Sequence, residues 1–330
     1  MPFAGKSQRS TSLGEQSRVI AEYDESTRLG LTPIMTDSPD TPPLSFSLAA
    51  IVRGASETLQ NAGVTDPQVD AELLAAHVLE TSRGGLQSAM IRGVDIDSAR
   101  RALFADAIER RARREPLQHI TGVAPFRQVE LAVGPGVFVP RPETELLAQI
   151  AIDGLQSSAS PAPIGVDLGT GSGAVAISMA TEVPHSRVFA AENSVDAFIW
   201  ARQNAARLAG DNLRLAFIDL ENAFPELDGT VSVVASNPPY VPDGAIPRDA
   251  EVRRYDPPQA LYGGPDGLDV VRILSAVGMR LAHPGGMIAI EHGEWQGPEV
   301  RSILADAGWR ATATHPDLTL RDRVTTGLRP

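Results

Sequence analysis

Two short stretches of this chain combine residue types that can do chemistry. Val231–Ser236 is an apolar run that ends in Asn237-Pro238-Pro239-Tyr240. Neither proline can donate a backbone hydrogen bond, so the segment leaves its strand stiffly extended and the Pro238 carbonyl keeps no local donor. The Asn237 side-chain carbonyl and that fixed Pro238 carbonyl are both acceptors, and together they can hold the two N–H groups of a planar –NH2. Tyr240 supplies an aromatic face on which such a flat group packs. Asn-Pro also opens ordinary turns, so the tetrapeptide needs a second signal beside it.

That signal is Asp167-Leu168-Gly169-Thr170-Gly171-Ser172-Gly173, which closes one apolar run and opens the Ala-rich stretch Ala174–Ala180. Glycines let the backbone turn tightly and approach a ligand with no Cβ in the way. Gly169, Gly171 and Ala174 also satisfy the dinucleotide fingerprint, and Glu192 lies near where a ribose-binding acid would sit, so a nicotinamide enzyme survives the bare pattern. Two details weigh against it. Asp167 would repel a pyrophosphate but could hold a cationic amino acid, and Gly173 fills the last position of G-x-G-x-G. The Asn237–Tyr240 loop then favours a clamp for an amine or amide beside a glycine-cradled cofactor.

Elements must position these loops. Beyond Pro163 the chain alternates helical stretches with strand candidates at Ile164–Leu168, Arg187–Glu192, Leu213–Ile218, Val231–Ser236, Met287–Glu291, Trp309–Thr312 and Val324–Gly327. Alternation of this kind predicts an α/β fold, a mostly parallel, doubly wound sheet covered on both faces, with ligands at the carboxyl ends of its strands. Upstream, residues 46–118 read as a small helical domain. Leu48, Val52, Ala55 and Leu59 predict a helix stopped by Gly63. A second follows the Asp66-Pro67 cap with Val69, Leu73, Leu74, His77 and Val78 on one face, and a third runs from Asp97 to Pro116. Arg110, Arg111, Arg113 and Arg114 cluster at the end of that third helix, where they complement its dipole or meet a partner. Residues 119–140 read as a hairpin linker built from Val129–Val133 and Val137–Val139. The catalytic domain is expected over 141–330. Residues 1–45 read as a disordered tail, with Met35 as an alternative start.

Composition narrows the classes. The 330 residues carry 29 Lys plus Arg against 41 Asp plus Glu, a formal net charge of −12, which disfavours nucleic acid as the main partner. There is no Cys, so disulfides, thiolate zinc sites and a Cys nucleophile are excluded together. The six His never fall within five residues of one another, so no local metal pair exists and no metal is expected. With no apolar run near the roughly 20 residues of a membrane helix and no leader pattern, the expectation is a soluble, cytoplasmic protein that meets no membrane.

With these residues in place, the sequence resembles the class I methyltransferases that use S-adenosylmethionine. More closely, it resembles the protein-glutamine N5-methyltransferases of the HemK/PrmC family, which modify peptide chain release factors. The likeness spans about residues 46–330. It rests on Arg114–Gly122, Pro140–Glu145, Asp167–Gly173, Asn237–Tyr240, Ala260–Asp269 and Glu291-His292-Gly293, in that order. Three positions depart from the family's commoner pattern: Asp256-Pro257, where some members have Glu; Glu192, where many have Asp; and Leu220, where some carry an aromatic. The resemblance implies a Rossmann-like methyltransferase sheet behind a helical domain that docks class I release factors. It also implies cofactor contacts from Asp167, the Gly169–Gly173 loop with Thr170 and Ser172, and Asn237. Glu192 would take the ribose diol, and Asp219 with Leu220 the adenine. Asn237, Pro238, Pro239 and Tyr240 would hold the glutamine, which the release factor presents in a Gly-Gly-Gln loop. S-adenosylhomocysteine would be the product.

An amide nitrogen is a poor nucleophile, so such an enzyme must align it in line with the methyl and favour the charge that grows on it. No base is needed before transfer, and Glu143 and Glu145 read as cofactor-side or helix-start residues. Rival readings keep the clamp and change its guest, to a ribosomal-protein glutamine or to a nucleobase amine. The second fits poorly with residues 119–330, which carry 16 basic and 25 acidic residues, net −9. A non-catalytic scaffold would have no use for an intact loop and clamp.

Overall fold

Asp167 lies beside Ala235 in adjacent parallel strands, and from that pairing the sheet grows in both directions. The computed structural model describes residues 47–330, so the expected tail and the alternative start at Met35 lie outside the described residues. The chain begins with helices α1 (Leu48–Asn61), α2 (Pro67–Val78), α3 (Arg83–Ile91), α4 (Ser98–Ala112) and α5 (Leu117–Thr121), then the strands β1 (Val123–Phe126) and β2 (Val129–Ala132). There follow α6 (Thr144–Gln156), β3 (Ile164–Leu168), α7 (Ala174–Glu182), β4 (Arg187–Glu192), α8 (Val195–Leu208), β5 (Leu213–Phe217) and β6 (Val231–Ser236). The last elements are α9 (Ala250–Tyr255), α10 (Asp269–Leu281), β7 (Ala282–Glu291), α11 (Gly297–Asp306), β8 (Arg310–Pro316) and β9 (Asp322–Leu328).

The seven-stranded sheet has the order β5-β4-β3-β6-β7-β9-β8. Its first five strands run parallel, while β9 is antiparallel to both β7 and β8. All seven expected strands are present, and the class I methyltransferase sheet is the fold of this half. The central strands β3, β4 and β6 are buried almost end to end, as parallel strands covered on both faces must be. On one face Leu147, Leu155, Ile177 and the hairpin residues Phe126 and Leu131 form a core. On the other, Phe224, Leu274, Leu281, Leu304 and Trp309 form a second. A third core, around Leu48, Leu59, Leu74, Leu86 and Phe104, belongs to the helical bundle. Burying each of those leucines contributes roughly 2 kcal/mol.

Strand order reverses between β3 and β6, so the loops that leave their carboxyl ends sit side by side. The pairing also sets their relative height. The Ser236 hydroxyl donates to the Leu168 carbonyl at 2.6 Å, which joins the last residues of the two strands.

The upstream half differs from its sequence reading in three ways. In α2 the buried residues are Asp70, Ala71, Glu72, Leu74, Ala75 and Ala76, while Val69 and Leu73 are half-buried and His77 is exposed. Small alanines let neighbouring helices approach closely, and Asp70 tolerates burial because the Arg111 guanidinium meets it at 2.7 Å. Helix α3 gave no periodic signal, because Leu86 is its only buried residue and Gly84-Gly85 weakens its start; the Ser82 hydroxyl, accepting from the Gly85 N–H, nucleates it instead. The hairpin pairs Val129–Ala132 with Val123–Phe126 rather than with Val137–Val139. Val137 and Val139 are buried without forming a strand.

Candidate active site

The glycine loop is shaped by backbone angles that only glycine adopts without strain. Gly169, Gly171 and Gly173 have φ of +76°, +58° and +90°. A Cβ at Gly169 or Gly171 would meet nothing within 4 Å. That open space is part of a cavity of about 1130 Å³ at the carboxyl end of the sheet. Gly173 does not line it; it starts α7 in the left-handed conformation. From behind, the buried Asn204 amide on α8 donates to the Ser172 and Ala132 carbonyls at 2.9 Å and accepts from the Ala132 N–H at 2.7 Å. One satisfied amide thus fastens the loop to the hairpin.

Two acids flank the loop. Asp167 is buried at the end of β3 and accepts from the Thr170 hydroxyl at 2.6 Å and the Ala176 N–H at 3.1 Å. Burial pushes its carboxyl up to about 7, against those hydrogen bonds and with help from the nearby Glu192 charge. Glu192, at the end of β4, accepts from the Gly171 N–H at 2.8 Å and from the Asn193 and Ser194 N–H groups at 3.0 and 2.9 Å. Its carboxylate therefore stands at the loop's edge, on the cavity wall. Asp219 does not line the cavity. Its carboxylate accepts from the Asn193 amide at 2.8 Å, and the neighbouring Leu220 reaches the wall in its place.

Beside the glycine loop, Asn237, Pro238, Pro239 and Tyr240 line the same cavity. None of the described backbone N–H groups bonds the Pro238 carbonyl. The Asn237 Nδ2 donates to the Thr144 hydroxyl at 3.2 Å. With its amino end held there, the side-chain carbonyl remains the free acceptor. Burial, with the Glu291 charge nearby, pushes the Tyr240 hydroxyl up to about 12, so it stays protonated and neutral.

The stretch Ala260–Asp269, whose role could not be read from sequence, braces this loop. The Val241 N–H donates to the Leu261 carbonyl at 2.8 Å, and the Gly263 N–H returns to the Val241 carbonyl at 3.0 Å. Gln296 completes the brace, with its amide donating to the Tyr240 carbonyl at 3.0 Å and accepting from the Gly293 N–H at 2.9 Å.

Other residues that sequence reasoning did not assign also shape the cavity. Arg141 stacks on Phe138 and reaches Asp256 at 2.8 Å, tying the Pro140–Pro142 loop to the segment after α9. Burial outweighs that guanidinium and holds the Asp256 carboxyl above its ordinary range. Glu143 and Glu145 both line the cavity at the start of α6, and Glu145 also accepts from the Arg127 N–H at 3.0 Å, which anchors the hairpin. The arginine cluster ends α4, with Arg110 and Arg111 in its last turn, and two of its members also bridge to another element. Arg111 and Arg114 bind the α9 carboxylate Glu251 at 2.9 and 2.7 Å, which joins the helical bundle to the cavity's rim. Burial raises Glu251, but the two guanidinium groups overcome it and hold the carboxyl at about 2.

Residues 50–122 match the family model described as the PrmC N-terminal domain, and residues 130–252 match that of the methyltransferase small domain. The release factor glutamine methyltransferase of Streptomyces coelicolor is 46% identical over 287 residues, covering 86% of this chain and 98% of that protein. The protein of the same name from Bifidobacterium longum is 40% identical over 283 residues, covering 83% and 96%. A 4-amino-L-phenylalanine/4-methylamino-L-phenylalanine methyltransferase of Streptomyces pristinaespiralis is 36% identical over 289 residues, covering 86% and 95%.

Proposed function

The chain belongs to the release factor glutamine methyltransferase family, and from that premise we propose that it methylates the side-chain amide nitrogen of the Gly-Gly-Gln glutamine in class I peptide chain release factors. The observation that carries this reading is a pair of free acceptors, Asn237 Oδ1 and the Pro238 carbonyl, on two residues that line the same cavity as the glycine loop.

S-adenosylmethionine fits the other side of the cavity. Gly169 and Gly171 leave room where a side chain would intrude, and Glu192 offers a carboxylate at the position suited to a ribose diol. Bound there, the group supplies an electrophilic methyl on a sulfonium. Everything else falls to the chain. Asn237 and Pro238 each accept one N–H of the substrate amide and fix the nitrogen in line with its target. Both hydrogen bonds strengthen as positive charge develops on that nitrogen, so the clamp binds the transition state better than the ground state. Tyr240 packs on the flat amide without adding charge. The helical bundle, tethered to α9 by Glu251, is the part we assign to release-factor docking, and 141–330 is the catalytic domain, acting in the cytoplasm.

The test uses purified protein, labelled S-adenosylmethionine, and a release factor beside a copy whose Gly-Gly-Gln glutamine is changed to asparagine. Mass spectrometry locates the methyl and identifies S-adenosylhomocysteine as the product. One added methyl on the wild-type glutamine, and none on the altered copy, is the expected result. Transfer to a ribosomal protein, to nucleic acid or to 4-amino-L-phenylalanine, with the release factor untouched, would overturn the substrate.

A further inference from the structure

Ser236 pairs with Ile290 in the β6–β7 ladder, so Asn237 and Glu291 are the next residues along two neighbouring strands. Glu291 is 2% exposed and lines the same cavity as the clamp. Thr144 and Asn237 stand close enough to its carboxylate to favour the charged form, while its buried Oε2 has no hydrogen-bond partner. Thr144, in turn, accepts from Asn237 Nδ2. We propose that Glu291 is the positioning residue of the amide clamp: it sets which end of the Asn237 side chain faces the substrate nitrogen.

An ionised carboxylate can only accept, and a threonine hydroxyl has a single proton to give. With the Thr144 proton directed to Glu291, the Thr144 oxygen can only accept from Asn237. Both groups therefore demand the NH2 end of Asn237, and Oδ1 is left to the cavity. A glutamine at position 291 has the same shape but presents a donor as well as an acceptor. Asn237 can then turn over and offer its own N–H groups to a substrate –NH2, which repels rather than holds it. Burial, with the Glu143 charge, holds the Glu291 carboxyl up to about 7 against Thr144, Arg323 and Asn237, so the carboxylate imposes this polarity above about pH 7 and the assays are run at pH 8.

This inference rests on the proposed amide substrate, and the experiment separates the two. Release-factor methylation is measured for wild type, E291Q, N237A and the double variant, with thermal stability and S-adenosylmethionine binding followed in each. E291Q is expected to lower kcat by about tenfold to a hundredfold, with cofactor affinity within about threefold of wild type and no loss of thermal stability. In the N237A background the same change should cost nothing further, because the two residues act as one unit. T144V should behave like E291Q, and T144S should stay near wild type. Hydrogen exchange of the Asn237 side-chain amide, followed by NMR on asparagine-labelled protein without substrate, reads the orientation independently of turnover; it should quicken in E291Q. Unchanged exchange in E291Q, or losses that multiply in the double variant, would overturn the positioning role. A wild type inactive on release factor but with exchange that responds to E291Q would overturn only the substrate.

Discussion

Gly263 lies against the Pro239 carbonyl oxygen so closely that a Cβ on Gly263 would overlap it. The neighbouring contact is as tight, because a Cβ on Gly267 would overlap the Tyr240 carbonyl. The Ala260–Asp269 stretch is therefore a mould for the backbone of the clamp. Gly263→Ala should push that backbone outward while leaving the glycine loop on β3 untouched. We expect kcat to fall by about a hundredfold, the effect of a shift near 1 Å at a reacting group, with cofactor binding close to wild type. Turnover above half of the wild-type value would rule out the mould.

Asn237→Ala removes one of the two acceptors. By analogy with loss of an oxyanion-hole donor, about 3 kcal/mol of transition-state stabilisation should go with it. The loss should appear in kcat at saturating release factor, because the hydrogen bond strengthens as the nitrogen gains charge. A variant that keeps more than about a third of wild-type turnover would remove Asn237 from the clamp.

Much of this molecule could be read before its structure. The strands of the sheet announce themselves as short apolar runs between breakers, and Asn237–Tyr240 and Asp167–Gly173 carry their chemistry in their residue types. Edge strand β8 reads short from sequence, as Trp309–Thr312, because Arg310–Pro316 alternates small and polar residues on a half-exposed edge. Glu291 and Thr144 stood within motifs whose purpose stayed hidden, since only the β6–β7 register and the start of α6 bring them to Asn237. Asp219 sits just beyond the end of its strand, where one oxygen of its carboxylate accepts from the Asn193 amide. The Arg110–Arg114 cluster showed its charge and not its partner, because Glu251 lies 137 residues beyond Arg114.

Glu251 holds the helical bundle to α9. Its carboxylate serves Arg111 and Arg114 together, and the Arg111 side chain is only 9% exposed. Glu251→Gln removes the charge and leaves both guanidinium groups partly unpaired, although Arg111 keeps Asp70 and the Glu115 carbonyl. We expect a loss of roughly 2 kcal/mol, below the 3–5 typical of a fully broken buried pair. Denaturant unfolding would measure it. A variant as stable as wild type would mean that the bonds from Arg254 and Tyr255 to the Arg113 carbonyl hold the bundle to α9 without Glu251.

Stability should fall as pH rises from about 4 to about 7. Asp167 and Glu291 are both held up to about 7, from ordinary values of 3.8 and 4.5, chiefly by burial. In that interval the folded state binds more protons than the unfolded chain, so raising the pH draws the equilibrium toward unfolding. The stabilisation is complete below the unfolded values and is gone once pH passes the folded ones. At 1.36 kcal/mol per unit of pKa difference, Glu291 accounts for roughly 3 kcal/mol and Asp167 for roughly 4. Around Glu291 the Thr144 hydroxyl, the Asn237 amide and Arg323 favour the charged form and Glu143 disfavours it, while around Asp167 the Glu192 charge works in the same direction as burial. Glu251 has the opposite sign. Held at about 2, it contributes stability above its ordinary 4.5 that is lost only as pH falls toward 2, so it does not flatten the fall between 5 and 7. Urea unfolding from pH 5 to 8 should show the decline in wild type, and D167N and E291Q should each remove part of it. A flat wild-type profile would mean that both carboxyls ionise as readily folded as unfolded, and that the cavity wall is wetter than its burial implies.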